Sequence, residues 1–501
     1  MQKKLFLKNT FILTLTALIL RGTGIFFRIY LSSAIGSEGM GIYQLIFSVY
    51  SLMCMLCSAG FNISVTKLVS SHESQTLSVM RLCFKLSAFL SIILTVLFMT
   101  FSNMIAKKSI GYPDAAPCIM MLSAGLLFIS ASACLKGYFV AVRKVSINSN
   151  SQLFEQAVRM AICFALLSKT PHTDIYACCL SVVKANVISE IAAFAFLYIV
   201  YINTVHKSRL SLQENCPLKS FFHIFAPTAA ATYSSSFLHT FENLIVPDAI
   251  FKYTLNKTFA VSVFGMIKGM ALPVMFFPSS FLSAISTLLL PEISVMNENG
   301  GIKSIQRTLS FTIHITICAS VLVAVLFFAC AYEISEILYH ENTVGHFLRR
   351  LSFAIPFMYT ESVIAGTLSA LDLHIVSLKF NTLCSVIRIA AILTLVPIYG
   401  ADAFVYIIII SNIFTSSVNF IWLYKKTNFY MNFSDFFAKP ILAAFCAGSF
   451  AILLPCNIAS VHPVFIKAFL ICSVYIIFLL LSKTFDLSRL KIIKFKRRKA
   501  S

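Results

Sequence analysis

Residues 309–331 read LSFTIHITICASVLVAVLFFACA, a run without Asp, Glu, Lys or Arg. A helical membrane span needs about 20 mainly apolar residues to cross the hydrocarbon core, and this run meets that length. The rest of the chain agrees with it. Hydrophobic residues make up 58% of the 501 residues and charged residues 12%, against roughly 25% charged in soluble domains. Phe alone occurs 48 times. Such a chain cannot cover itself with polar surface, so its solvent is lipid.

Working outward from that run, similar stretches lie near 9–32, 42–66, 86–106, 116–141, 153–169, 176–202, 220–246, 259–290, 348–371, 380–398, 402–424, 439–458 and 464–482. The fold expected is therefore an all-α polytopic membrane protein with about 14 transmembrane helices. The span 259–290 holds Pro273 and Pro278, so a kink or break is expected in it. The chain opens Met-Gln-Lys-Lys before its first apolar stretch, with no small-residue cleavage site, so the first span is expected to be retained.

The net charge is +21. A nucleic-acid binder would gather its basic residues on one folded surface. Here they fall mainly in the short segments between apolar runs, which argues against nucleic acid and for the positive-inside pattern. With the N-terminus inside, alternate segments and the C-terminal tail carry 25 of the 40 basic residues, and the opposite loops hold seven: Lys107, Lys108, Lys169, Lys252, Lys257, Arg349 and Arg350. That asymmetry predicts a multi-pass protein of the cytoplasmic membrane with both termini in the cytoplasm. Trp422, beside Tyr424 and Lys425, sits at a predicted inner interface, and the basic tail offers a contact with anionic lipid.

An internal repeat is visible. An offset of 229 residues places Gly137 on Gly366, Ala141 on Ala370, Arg159 on Arg388 and Ala161 on Ala390; an offset of 224 places Gly41 on Gly265 and Ser70 on Ser294. Six spans separate the equivalents, so the halves are parallel repeats about an axis along the membrane normal. This predicts an N-terminal six-helix lobe over 1–202, a cytoplasmic linker over 203–219 and a C-terminal six-helix lobe over 220–425. An added helix pair follows over 439–482, then a basic cytoplasmic tail over 483–501.

Ionisable groups within spans cost roughly 3 kcal/mol or more each and need a partner or a wet cavity. The cations are Arg21, Arg28, Lys136, Arg159, Lys184, Lys268 and Arg388; the anions are Glu155, Glu190, Glu242 and Glu361. The cationic surplus suggests a cavity for an anion such as a phosphate or pyrophosphate, with Arg28 and Lys268 as its candidates. Snorkelling and structural ion pairs are the alternative, favoured for Lys136, Arg159 and Arg388. Glu155 and Arg159, at i and i+4, form a candidate structural pair. The 15 cysteines lie mostly within apolar runs, and Cys54-x-x-Cys57 has no second pair, so neither a disulfide framework nor a metal site is expected. There is no P-loop motif and no HExxH, and no nucleophile, base or metal cluster, so neither an enzyme nor a cofactor is expected.

Several stretches carry a resemblance. They are Phe27-Arg28-Ile29-Tyr30, Gly36-Ser37-Glu38-Gly39-Met40-Gly41-Ile42-Tyr43-Gln44, Lys136-Gly137-Tyr138-Phe139, Gln152 to Arg159 (QLFEQAVR), Gly269-Met270-Ala271-Leu272-Pro273, Leu290-Pro291-Glu292-Ile293-Ser294, Ile355-Pro356-Phe357 and Val386-Ile387-Arg388-Ile389. In order and spacing the chain resembles the polysaccharide-biosynthesis exporters of the multidrug/oligosaccharidyl-lipid/polysaccharide superfamily. The resemblance implies two six-helix lobes with an added pair, alternating access, and a polyprenyl-pyrophosphate-linked glycan as cargo, peptidoglycan precursor in particular. It also implies a role in spore cortex formation and possible contacts with peptidoglycan-synthesis proteins. In related flippases cationic residues of the first and eighth spans line the cavity, a role that fits Arg28 and Lys268, and Arg21 beside them. The departures include Lys136 where the family carries Arg. Two other readings keep the fold: a cation-coupled drug or metabolite antiporter, with Glu242 and Glu361 as coupling carboxylates, and an envelope scaffold that transports nothing. A membrane-embedded acyl- or glycosyltransferase would need a clustered catalytic set.

Overall fold

The computed structural model describes residues 2–71, 75–171, 174–208, 218–284, 293–294, 296, 301–371, 373–453, 463–482 and 484. The predicted basic tail (except Thr484), most of the predicted linker and Leu290-Pro291-Glu292 lie outside the described residues. Every regular element described is helical. Among the described residues nine helices are long and apolar enough to cross a membrane. Two of these each hold a pair of predicted spans. Helix α1 (Gln2–Ser58) is interrupted at Gly36, with φ 68° and ψ −174°, between the first and second. A left-handed φ of this kind is where glycine is the permissive residue. The remaining predicted spans, near 153–169, 220–246 and 439–458, are helical too, in Val145–Leu167, Leu218–Thr254 and Lys439–Leu453. The first two are less apolar because their helices carry polar side chains, among them the buried Asn148, Ser149 and Ser151 and the buried Thr240, Glu242 and Asn243.

Two compact units are present: Met1–Ser280 with Asn381–Ile407, and Phe281–Phe380 with Ile408–Ser501. In the first, α1 is followed by α2 (Phe61–Ser71), α3 (Thr76–Thr100), α4 (Ala116–Ala124), α5 (Leu126–Ala141), α6 (Val145–Leu167), α7 (Ile175–Ser208) and α8 (Leu218–Thr254). Without a hydrophobic drive between helices in lipid, close contact depends on small residues. Helices α2 and α5 approach so closely that a Cβ at Gly137 would stand 2.6 Å from the Asn62 carbonyl oxygen. Thr66 Oγ1 donates to the Gly137 carbonyl at 3.0 Å across the same crossing. Phe61, Val65, Cys134 and Tyr138 fill the core beside it.

The predicted break in the eighth span takes a specific form. Helix α9 (Lys257–Phe264) passes into a π-helical turn, Gly265–Ala271, and then into α10 (Leu272–Phe276) with Pro273 in its first turn. Proline has no N–H to donate and its ring collides with the carbonyl four residues back. A widened turn before it relieves both problems. Lys268 lies in that turn.

In the second unit α11 (Ile302–Ala329) packs against α14 (Ile355–Ala370), with α12 (Ala331–Tyr339) and α13 (Asn342–Leu351) between them in sequence. The next helix, α15 (His374–Thr427), whose Asn381–Ile407 stretch belongs to the first unit, breaks in that stretch at Gly400 (φ 68°, ψ −149°), between the eleventh and twelfth predicted spans. The last two helices, α16 (Lys439–Leu453) and α17 (Pro463–Leu481), dock on α11: Ala443, Ala447, Ile471 and Tyr475 share a core with Ile313 and Ile317. The buried Tyr475 hydroxyl donates to the Cys318 carbonyl at 2.8 Å. Lys467 of α17 pairs with Glu333 of α12.

Candidate functional site

Helix α8 carries four polar side chains on adjoining turns, His239, Thr240, Glu242 and Asn243. Two of them fasten it to α1. Thr240 Oγ1 donates to the Ser48 carbonyl at 3.1 Å, and Asn243 Nδ2 donates to Ser48 Oγ at 3.1 Å. Further along, the Tyr233 hydroxyl donates to the Leu56 carbonyl at 2.9 Å. With α8 held in this way, Glu242 faces Lys268 of the π-helical turn and Arg388 of α15.

Glu242 is 2% exposed. Its Oε1 lies 3.2 Å from Lys268 Nζ. Its Oε2 accepts from Arg388 Nε at 2.8 Å and lies 2.7 Å from Nη2. Two guanidinium N–H groups thus converge on one carboxylate oxygen, a charge-assisted arrangement. A buried carboxylate without such partners would cost several kcal/mol. Lys268 Nζ also lies 5.7 Å from the Phe404 ring centroid, within cation–π range. One anion against two cations leaves the cluster with a net positive charge.

Arg28 and Arg21 differ from these. Arg28 is half-buried and Arg21 exposed. Neither has a carboxylate partner among the described residues. Arg159 pairs with Glu155 and reaches Ser189 Oγ at 3.3 Å through Nε.

Two further intramembrane carboxylates sit in polar clusters without a cation bonded to them among the described residues. Glu190 Oε1 accepts from the Tyr50 hydroxyl and from Asn186 Nδ2, the latter at 2.8 Å. Its Oε2 is buried without a partner among the described residues. In the second unit, Glu361 Oε1 accepts from Asn419 Nδ2 at 2.7 Å, and Glu361 Oε2 and Asn419 Oδ1 are both buried and unpartnered among the described residues. Acceptors left bare in this way are suited to a proton or a monovalent cation.

The model of the family described as "Polysaccharide biosynthesis protein" matches residues 6–297, more than half of the chain. The chain belongs to the polysaccharide biosynthesis protein family. It is similar to Stage V sporulation protein B of Bacillus subtilis (strain 168), with 23% identity, covering 74% of each protein. It is also similar to Lipid II flippase MurJ of the same organism, with 24% identity over 61% of each. Among solved structures it shares the fold of "Lipid II flippase MurJ, inward closed conformation", with a TM-score of 0.74 at 15% identity, covering 95% of this chain and 99% of that one. The inward-facing structure of a multidrug resistance MATE family transporter of the MOP superfamily matches with a TM-score of 0.67 at 12% identity, over 82% and 94%. The protein is thus a multi-pass membrane protein with a transporter fold.

Sequence reasoning named Glu242 and Lys268 separately, one as a coupling carboxylate and one as a cavity cation; the structure joins them and adds Arg388. The signal available was charge balance, since each intramembrane charge needs a partner. The partner's identity was hidden by the sequence separation of 146 between Glu242 and Arg388. The Tyr50–Asn186–Glu190 cluster likewise joins residues 136 to 140 apart.

Proposed function

We propose that this protein is a flippase that moves a polyprenyl-pyrophosphate-linked glycan across the cytoplasmic membrane by alternating access, with both termini in the cytoplasm. The observation that carries the reading is Arg28, an intramembrane guanidinium with no carboxylate partner among the described residues. A cation kept in a span without a counter-ion is at its most stable with an anionic ligand beside it. A pyrophosphate supplies one. Arg21, two turns away on the same helix, and the net positive Glu242–Lys268–Arg388 cluster extend that preference. In this reading Lys268 binds substrate when Glu242 shares its charge with Arg388. The repeat-related lobes, 1–202 and 220–425, rock about the linker, and 439–482 forms the added pair.

The similarity to Lipid II flippase MurJ favours peptidoglycan precursor as the glycan, and the similarity to Stage V sporulation protein B favours the spore cortex as its destination. The test is transbilayer movement of a fluorescent undecaprenyl-pyrophosphate glycan in proteoliposomes, with Arg28→Ala in parallel. Movement in the wild type that the variant lacks supports the reading; equal rates overturn the assignment of Arg28.

One observation favours a coupled reading of the same fold. Among the described residues Glu361 Oε2 and Asn419 Oδ1 are bare acceptors, which is the arrangement a coupling proton or monovalent cation would occupy. Glu242, already holding two cations, is less free to serve. Dependence of movement on an imposed ion gradient, lost in Glu361→Gln, is the corresponding test.

A further inference from the structure

In the second unit, α13 (Asn342–Leu351) runs through a single 3-10 turn, Ser352–Ala354, into the span of α14. Its buried side chains are Val344, Phe347, Leu348 and Leu351. The opposite side carries His346, Arg349, Arg350 and Phe353, at i, i+3, i+4 and i+7, the spacing that stacks side chains along one helical face. Phe328 and Tyr332, from the end of α11 and the start of α12, stand beside that face and complete a concavity of about 270 Å³.

Three features distinguish this concavity from an ordinary basic rim. None of its six lining residues is acidic, although two are arginines. The nearby Glu333 pairs with Lys467. The Arg349 guanidinium does not simply extend into solvent, because it stacks 4.6 Å from the Phe328 ring centroid, which orients its fork. The rim is also aromatic and uncovered: Phe353 is 60% and Tyr332 39% exposed. Aromatic rings and arginines at the ends of two consecutive spans occupy the zone where lipid headgroups lie.

We propose that this concavity binds the phosphate headgroup of an anionic phospholipid, with the Arg349 guanidinium contacting the phosphate, Arg350 adding to the positive charge of the rim, and Phe353 and Tyr332 packing against the start of the acyl region. A guanidinium matches phosphate oxygens with two N–H groups at once. The apolar rim selects a lipid over free phosphate, which would gain nothing from exposed Phe353.

The test is native mass spectrometry of the purified full-length protein in detergent. It would be titrated with phosphatidylglycerol, with phosphatidylcholine of the same chains, and with inorganic phosphate. The wild type should retain phosphatidylglycerol over phosphatidylcholine, and R349Q/R350Q should weaken that retention about tenfold or more, the loss of one or more charge-assisted contacts. Phe353→Ala should weaken it less, without altering the preference for the anionic lipid. Equal retention of both lipids, equal retention by R349Q/R350Q, or equally tight binding of inorganic phosphate would each overturn the proposal. Should the double variant fail to fold, R349Q alone, at an exposed position, reads the same shift.

Discussion

Gly41 and Gly265 meet back to back. A Cβ on Gly265 would stand 2.5 Å from the Gly41 nitrogen and 2.3 Å from the Ser37 carbonyl oxygen, and one on Gly41 would stand 2.2 Å from the Val261 carbonyl oxygen. At the offset of 224 residues that relates Gly41 to Gly265, Val261 is the equivalent of Ser37. Each glycine therefore faces the carbonyl four residues before the other. Such reciprocity is what a two-fold relation between the stretches requires. Neither backbone can yield without separating α1 from the turn that holds Lys268.

Gly41→Ala and Gly265→Ala should therefore each destabilise the protein by about 2–3 kcal/mol or more, since overpacking against backbone has little room to relax. Gly24→Ala, where a Cβ meets nothing within 4 Å, should leave it unchanged. Melting of the detergent-solubilised protein reads the difference; equal melting of the three variants would show that the close crossing does not hold this region together.

Glu242→Gln leaves Lys268 and Arg388 facing each other without a counter-charge. The carboxylate is 2% exposed and the cations 17% and 24%, so a loss of about 3 kcal/mol is expected. A second change, Arg388→Gln, should restore part of it, because it removes one of the two uncompensated cations. A double variant no more stable than Glu242→Gln alone would mean that Arg388 does not depend on this carboxylate.

Arg28→Ala should abolish glycan movement while the protein still reaches the membrane in normal amount. Arg28→Lys should keep part of the activity, because charge matters more than fork geometry for a loosely held pyrophosphate. Transport rates and immunoblots of membrane fractions, taken together, separate lost function from lost protein.

Tyr475→Phe removes a buried hydroxyl and leaves the Cys318 carbonyl with one acceptor bond fewer. In membrane interiors such a bond is worth about 1 kcal/mol. The expected result is slightly faster proteolysis of the α16–α17 pair, with transport unchanged; lost transport would implicate this pair in the working cycle.

Much of this was legible in the sequence. Hydropathy is a local property, so spans could be placed from windows of residues. Pro273 announced the break that became a π-helical turn, and Gly36 supplied the residue for the interruption in α1. The repeat placed Gly41 on Gly265 without any contact being visible.

What the sequence determined by itself was the solvent of this chain, its helical class and its family, because composition and motif order do not depend on how helices meet. The tertiary structure alone decided which charges share a partner. Glu242, Lys268 and Arg388 come from three separate helices, and their pairing follows from where α8 is pinned to α1 by Ser48 and where the π-helical turn aims Lys268. Charge balance shows that a buried carboxylate needs cations; only helix packing, through contacts 26 and 146 residues apart, selects which ones.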